Sequence, residues 1–205
     1  MKKTKIGWCD STLNPVVGCR FNCPDCYARK MNDRFKFIEH WNKPKFFPER
    51  LQQLNCKTPK NIFMNSMSDI ADWSYTELMH TMQAMRDNPQ HNYLFLTKRA
   101  VDASWHYNKL SLGVDNVWCG VTSSTSVLPI QALLYHTVVP NRFVLFEPLG
   151  NDIYFDTIKE KAHRIHWFII GAETGNRKGK IVPRKEWIYN LVLWPQAHGY
   201  KFNLF

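Results

Sequence analysis

Three cysteines within eight residues near the amino terminus constrain this chain more than any other feature. Cys19, Cys23 and Cys26 follow the pattern Cys-x3-Cys-x2-Cys. A closed tetrahedral zinc or iron site needs four protein ligands, whereas cysteine thiolates are the usual ligands of iron–sulfur clusters. Three thiolates can hold three irons of a [4Fe–4S] cluster and leave the fourth iron open to another ligand. The spacing therefore predicts a cluster-binding loop with these three cysteines as the metal ligands.

Two other uses of the cysteines stay open. Cys23 and Cys26 could form half of a zinc knuckle, although Cys9, Cys56 and Cys119 supply no second close pair. The even number of cysteines also permits a disulfide framework. Against it, the basic start is not followed by the apolar segment of a secretory signal, and a chain of this length can bury a core without disulfides. A zinc-knuckle nucleic-acid-binding module without catalysis is the alternative function.

The overall charge points to anionic partners. The 205 residues carry a formal net charge of +10, which favours binding of nucleic acid, nucleotides or phosphorylated metabolites. The length suits a single domain over residues 1–205. No apolar run is long enough to span a bilayer, so we expect no membrane partner and a cytoplasmic location, where a reducing environment preserves an iron–sulfur cluster.

Apolar strand-like runs alternate with helix-like stretches along the chain. The strand-like runs are Val16–Gly18, Asn61–Met64, Tyr93–Thr97, Asn116–Val121, Arg142–Glu147 and His166–Ile170, with a possible last strand at Tyr200–Phe205. Helices are predicted at about 72–88, introduced by a Ser74–Glu77 capping box, at 101–110, at 129–136, near 156–163 and after Pro183. Apolar strands that alternate with helices predict an α/β fold with a helix-covered parallel sheet. Six or seven units are fewer than a complete eight-unit barrel, which favours a partial barrel. A doubly wound open sheet is the alternative, although no glycine-rich dinucleotide fingerprint follows any predicted strand.

Polar residues follow nearly every predicted strand. In βα folds the chemistry lies at the carboxyl ends of the strands, so these residues are candidates for one site. They are the three cysteines, then Asn65 to Asp69, Thr97 to Arg99, Thr122 to Ser124, Glu147, and finally Gly171 to Gly175. We expect these segments to converge on one rim of the sheet.

The same segments carry a family resemblance. The chain resembles the phage-associated, largely uncharacterised radical-SAM-like family with an N-terminal three-cysteine motif, part of the radical S-adenosylmethionine (SAM) superfamily. The matching segments are Ile6–Trp8, Asn14–Cys19, Cys23–Ala28, Met67–Asp69, Leu96–Arg99, Asn116–Val121, Arg142–Val144, Glu147–Leu149 and Trp167–Gly175. One departure is that Asp25, and not an aromatic residue, precedes the third cysteine, while Tyr27 follows it.

The resemblance implies a radical SAM-like fold that is a partial (β/α)6-type TIM barrel with a parallel sheet, a [4Fe–4S] cluster and SAM as cofactors, and an external one-electron reductant. In such an enzyme the cluster reductively cleaves SAM to a 5′-deoxyadenosyl radical, which abstracts hydrogen from the substrate, here expected to be anionic. We assign the cofactor contacts to residues at the strand ends, with Asp69 alternatively a simple turn cap. The candidate cofactor-binding residues are Asn65, Ser66 and Asp69 for the methionine part, Lys98 for a carboxylate or phosphate, Ser123 for the ribose, Glu147 as an acceptor, and Gly171, with Glu173 behind it, for close approach of the adenine.

Overall fold

The computed structural model describes residues 4–24, 26–172 and 178–197. Eight strands are present in these ranges: β1 (Ser11–Thr12), β2 (Val16–Val17), β3 (Lys45–Phe46), β4 (Asn61–Phe63), β5 (Asn92–Thr97), β6 (Val117–Thr122), β7 (Asn141–Phe146) and β8 (Trp167–Ile170). Six of them form one sheet in the order β1-β4-β5-β6-β7-β8, and every neighbouring pair is parallel. This sheet curls into a half-barrel, so the prediction of a parallel α/β sheet is confirmed.

Helices lie between strands of the chain and after the last strand, β8. They are α1 (Tyr27–Phe35), α2 (Tyr75–Arg86), α3 (Ser104–Gly113), α4 (Leu128–His136) and α5 (Lys185–Ala197), with 3₁₀ turns at Pro48–Asn55, Ile70–Asp72, Asp156–Ile158 and Ala162–Arg164. The predicted helix near 156–163 is therefore two short 3₁₀ turns. Pro183 precedes α5 by two residues and does not open it. No helix in the described ranges is long and apolar enough to cross a lipid bilayer.

The capping box predicted at Ser74 fixes the start of α2. The Ser74 hydroxyl accepts the N–H of Glu77 at 3.3 Å, and the Glu77 carboxylate accepts the N–H of Ser74 at 2.6 Å. These two bonds satisfy amides that a helix start leaves free. Leu78, Met82 and Met85 then form the buried stripe of this helix, because residues spaced by three and four share one helix face.

One predicted strand belongs to a different sheet. Val16–Val17 forms β2, which pairs antiparallel with β3 in a separate two-stranded ribbon. The first strand of the parallel sheet is β1, five residues earlier, which pairs with β4. Val16 and Val17 are both buried, so hydrophobicity alone could not distinguish the two sheets. The predicted strand at Tyr200–Phe205 lies outside the described residues.

The two faces of the sheet have different neighbours, because successive side chains of a strand point to opposite faces. The outer face packs against the helices and contributes Tyr93, Phe95, Val144, Phe146 and Phe168, among others, to the main core. The concave face lines the half-barrel with a second apolar cluster. Its members are Trp8, Cys9, Phe63, Leu94, Phe143, Leu145 and Ile169, with Leu96, Trp118 and Trp167 packed against them.

Aromatic rings fill the interior of the half-barrel. Trp8, from the segment before β1, packs on Phe63 with ring centroids 4.8 Å apart and on Phe143 at 6.0 Å. Gly120 in β6 makes room for this filling, since a Cβ there would lie 2.4 Å from the Phe143 ring. Aromatic and aliphatic side chains thus fill the middle of the half-barrel.

Candidate functional site

The cysteine loop starts at a glycine that no other residue can replace without strain. Gly18 has φ +110°, and a Cβ on it would lie 2.8 Å from the Trp41 carbonyl oxygen. Its N–H donates to the Met67 carbonyl at 2.9 Å, and Gly18 forms a parallel bridge with Ser68. The chain therefore enters the loop beside the segment that follows β4, at the carboxyl end of the sheet, as predicted for the cysteines.

The three cysteines are free thiols and all are partly exposed. Cys26 caps α1, because its sulfur accepts the N–H of Arg29 at 3.4 Å. The Arg29 guanidinium donates to the Cys23 carbonyl at 3.1 Å and to the side-chain oxygen of Asn22. One arginine of α1 thus holds the middle of the loop.

Asp72 connects this loop to the end of β5. Its Oδ2 accepts the backbone N–H of Arg20 at 2.7 Å, and its Oδ1 lies 2.8 Å from Nη2 of Arg99. The Asp72 side chain is only 4% exposed and that of Arg99 only 17%. The Arg99 guanidinium also lies over the ring of Phe21, 5.5 Å from its centroid. Arg99, one of the polar residues that follow a predicted strand, is therefore paired in the structure with Asp72 and packed on the cysteine loop.

Sequence reasoning did not identify Asp72. Its hydrogen-bond partner Arg20 lies 52 positions away, and no short motif joins the two. Asn14 was also missed: its side-chain oxygen accepts the Ser66 hydroxyl at 3.0 Å and the Met67 N–H at 2.9 Å. Asn14 lies two residues before the predicted strand at Val16, and Asp72 begins the predicted helix at 72–88, so neither followed the end of a predicted strand.

Burial raises the pKa of the Cys19 thiol to about 12, and the nearby carboxylates of Asp72 and Asp69 raise it further, while the Phe21 backbone acts in the opposite direction. The free Cys19 side chain is therefore protonated at neutral pH. Metal binding by this residue would release that proton, since a cysteine ligand binds as the thiolate.

Asp69 holds the rim together. Its Oδ1 accepts the Thr97 hydroxyl at 2.8 Å and the Ala71 N–H at 3.0 Å, and its Oδ2 accepts the Lys98 N–H at 3.3 Å. It is the N-cap of the turn at Ile70–Asp72. The capping role considered from the sequence is the one that the structure shows, and Asp69 also fixes the end of β5.

The Asn65 side chain continues the sheet beyond β4. Its amide nitrogen donates to the Leu96 carbonyl at 2.8 Å, and its oxygen accepts the Leu96 N–H at 3.0 Å. The residue is 2% exposed. Ser66 is more accessible, and its hydroxyl, which donates to Asn14, keeps its acceptor capacity. Of this predicted pair, Asn65 positions the rim and Ser66 faces its accessible side.

Ser123 is fully buried, and its hydroxyl donates to the Ser126 carbonyl. Its backbone N–H donates to the Leu145 carbonyl at 2.9 Å. Both groups stabilise the turn that follows β6. In this structure Ser123 therefore presents no free polar group to a ribose.

Glu147 and Gly171 lie against each other at the ends of β7 and β8. A Cβ on Gly171 would be 3.0 Å from Cγ and Cδ of Glu147. The sequence analysis predicted that the adenine would approach Gly171 closely. In the structure, the Glu147 side chain occupies the space next to the Gly171 Cα. Burial raises the pKa of the Glu147 carboxyl above its ordinary value. Glu173, predicted to stand behind Gly171, is outside the described residues.

Lys98 and Glu147 are the predicted ligands that remain chemically available. Both continue the inward-facing series of their strands, Leu94–Leu96–Lys98 and Phe143–Leu145–Glu147. Lys98 is exposed, and among the described residues its ammonium forms no ion pair. One cation and one half-buried carboxylate therefore face the open carboxyl end of the half-barrel.

The donor set of the cysteine loop fits an iron–sulfur cluster in its chemistry. Within residues 4–24, 26–172 and 178–197, no group of three or more His, Cys, Asp or Glu side chains is arranged to hold a metal ion. A single zinc ion draws four ligands to one point, whereas cluster thiolates bind different irons. Three free, partly exposed thiols on one loop supply the type of donor that such a cluster takes.

Two cavities lie away from this rim. One of about 330 Å³ lies beside α5 and includes Asp152, Phe155 and Trp194. The other, of about 260 Å³, lies at the amino ends of β4 and β5 and includes Trp118 and His166. Neither is lined by a predicted site residue.

Comparison with known proteins gives one match. A family model described as "Protein of unknown function (DUF5131)" matches residues 3–204. No curated protein and no solved structure shows significant similarity to the chain.

Proposed function

We propose that this chain, which belongs to the DUF5131 family of proteins of unknown function, is a radical SAM enzyme that acts on an anionic substrate. The observation that carries the proposal is the position of Cys19, Cys23 and Cys26: three free thiols on one loop at the carboxyl end of a parallel half-barrel. That edge is where βα folds place their chemistry.

The cluster ligands in this proposal are Cys19, Cys23 and Cys26. A [4Fe–4S] cluster bound there, once reduced by an external one-electron donor, would supply the open iron and the electron that cleave SAM into methionine and a 5′-deoxyadenosyl radical. The protein contributes binding, orientation and exclusion of water. The fold around the loop supports each of these roles.

Orientation of the loop depends on one glycine and on polar contacts that are partly buried. Gly18 sets its direction, Arg29 binds its middle, and Asp72 fixes Arg20. Because these contacts come from three different segments, the loop is tied to the rim on several sides. A ligand set with such support keeps its geometry better than one on a free loop.

In this proposal, Lys98, Glu147 and Ser66 bind SAM and the anionic substrate. The Lys98 ammonium can pair with a carboxylate or a phosphate. The Glu147 carboxyl, whose pKa is raised by burial, can accept a hydrogen bond from a bound molecule. Asn65, Asp69 and Ser123 position the strand ends on which those groups stand, since their own polar atoms already bond within the protein.

Exclusion of water from the proposed site depends on the apolar side chains that fill the interior of the half-barrel. The ring of Trp8 on Phe63 closes the half-barrel below the rim. A reactive intermediate formed at the carboxyl end would therefore meet apolar side chains on one side. Shielding of this kind limits quenching of reactive intermediates by solvent.

The experiment is anaerobic purification and reconstitution with iron and sulfide, followed by assay of SAM cleavage with dithionite. The proposal predicts a brown protein with about four irons per chain and formation of 5′-deoxyadenosine. Cys23→Ala should lose this activity, whereas Cys56→Ala, a matched change of a free, partly exposed thiol outside the loop, should keep it. A colourless, air-stable protein with stoichiometric zinc would support the zinc-knuckle nucleic-acid-binding module instead.

A further inference from the structure

The segment that follows the cysteine loop exposes an unusual number of apolar side chains. Phe21, Tyr27, Met31, Phe35 and Phe37 are each between 40% and 54% exposed. Burial of apolar surface is favourable, so five such side chains within seventeen residues indicate a surface that is covered when the protein works.

Three of the five, together with two cations, form one face of α1. At 3.6 residues per turn, Tyr27, Lys30, Met31, Arg34 and Phe35 lie on one side of the helix. We name this set the α1 face. All five are exposed, while the opposite side packs through Ala28 and Asn32. The α1 face is thus an exposed side of the helix that carries both rings and cations.

The charge of this region is positive. Residues 19–45 contain seven Lys or Arg against three Asp or Glu. Cations also lie against rings here: the Arg34 guanidinium is 5.0 Å from the centroid of Phe35. Alternating cations and rings are the pattern of surfaces that track a phosphate backbone and stack unpaired bases.

The α1 face also leads directly to the candidate site. The Tyr27 hydroxyl donates to the Ser66 carbonyl at 2.5 Å, at the rim that carries Lys98 and Glu147. The Phe21 ring lies under the Arg99 guanidinium, 5.5 Å from its centroid. A strand bound along α1 would therefore reach the edge of the site without crossing a gap in the surface.

We infer that the α1 face binds single-stranded nucleic acid and delivers it to the rim at Ser66. This inference rests on the proposed function and narrows its anionic substrate to a single strand. Lys30 and Arg34 contact phosphates, while Tyr27, Met31 and Phe35 pack on bases. A duplex keeps its bases stacked inside and offers no such faces.

The test measures binding of a fluorescein-labelled oligo(dT) of about twelve nucleotides to the full chain, as purified and after reconstitution, over a series of salt concentrations. We expect Lys30→Gln with Arg34→Gln to reduce the slope of log affinity against log salt by about 1.4. The control, Lys57→Gln with Lys159→Gln, removes the same charge from exposed positions and should leave the slope unchanged.

A second pair of variants tests stacking. Phe35→Ala should weaken binding by at least about fivefold. The control is Tyr135→Ala, which removes another exposed ring. The Lys161 ammonium lies 3.6 Å from the centroid of that ring, and this variant should bind the oligonucleotide as tightly as the unchanged protein. Three outcomes would each overturn the inference. The test and control variants could lose the same oligonucleotide affinity, a duplex could bind as tightly as the single strand, or the oligonucleotide could fail to bind even at low salt.

The outcomes also separate this inference from the proposed function. If the oligonucleotide binds at the α1 face but the reconstituted protein cleaves no SAM, the proposed enzymatic function is contradicted and the proposed nucleic-acid surface is supported. If the protein cleaves SAM but binds no oligonucleotide, the proposed nucleic-acid surface is contradicted and the proposed enzymatic function is supported.

Discussion

The Oδ2 atom of Asp72 accepts the backbone N–H of Arg20 at 2.7 Å, which joins the cysteine loop to the turn after β4. The same carboxylate neutralises Arg99 at the end of β5. Three segments that are distant in sequence therefore meet at one nearly buried side chain, and the position of the candidate cluster ligands depends on it.

Replacing Asp72 by alanine should destabilise the protein by about 3 kcal/mol, because it leaves the Arg99 guanidinium largely buried without its nearest counter-ion. Asp102→Ala is the matched control, since Asp102 pairs with the same arginine at 3.7 Å but is 60% exposed. That change should cost less than about 1 kcal/mol. Urea denaturation measures both free energies of unfolding. Equal costs would show that Asp72 has no special role.

Replacing Gly18 by alanine should cost about 3 kcal/mol and reduce iron incorporation. The φ of +110° is unfavourable for a side chain, and the new Cβ would overlap the Trp41 carbonyl at 2.8 Å. Gly179→Ala provides the control, because Gly179 also has a positive φ, +73°, but has nothing within 4 Å of the added carbon. It should cost only about 1 kcal/mol. Thermal unfolding and iron content per chain are the measurements, and a normal iron content in Gly18→Ala would contradict the prediction.

Replacing Gly120 by alanine should destabilise the half-barrel by about 2 kcal/mol, because the added methyl group would overlap the Phe143 ring at 2.4 Å. The double variant Gly120→Ala with Phe143→Leu should recover part of that loss, since the smaller side chain makes room. A double-mutant cycle by chemical denaturation measures the coupling. Additive costs would mean that the two residues do not compete for the same space.

Replacing Glu147 by glutamine should stabilise the protein at neutral pH. Burial raises the pKa of Glu147 above its ordinary 4.5. Ionising this carboxyl is therefore more costly in the folded protein than in the unfolded chain, so the free energy of unfolding falls as the pH rises from the ordinary pKa through the raised one. Glutamine does not ionise and avoids that loss. The gain should appear above about pH 5 and vanish below about pH 4.

Free energies of unfolding across this range, with the exposed Glu160→Gln as control, measure the effect. A gain that is the same at all pH values would contradict the assignment to ionisation of Glu147. In the reconstituted protein, the same variant should retain iron, because Glu147 is not among the proposed cluster ligands.

Local patterns along the chain predicted most of the secondary structure. The Ser74–Glu77 capping box and the stripe of Leu78, Met82 and Met85 are confirmed because each depends on residues within about four positions of one another. The alternation of apolar strands with helices correctly predicted a parallel sheet. Val16–Val17 was misplaced because burial in a small ribbon and burial in the main sheet produce the same apolar pair.

The candidate site was predictable in location but not in the role of each residue. The rule that chemistry lies at the carboxyl ends of parallel strands brought Asp69, Lys98 and Glu147 to one rim, as the structure shows. It could not distinguish side chains that bond within the protein from those that remain available. Asn65 looks like a ligand in the sequence, yet its amide bonds to Leu96, 31 positions away.

The sequence by itself determined the three-cysteine pattern, the capped start of α2 and the alternation of apolar strands with helices that makes a parallel sheet, since these follow from residues close together in the chain. Only the tertiary structure decided that Asp72 joins Arg20 to Arg99 and that Lys98 stays open at the rim. Those contacts exist because the parallel sheet brings the carboxyl ends of separate strands, which are distant in sequence, to one edge.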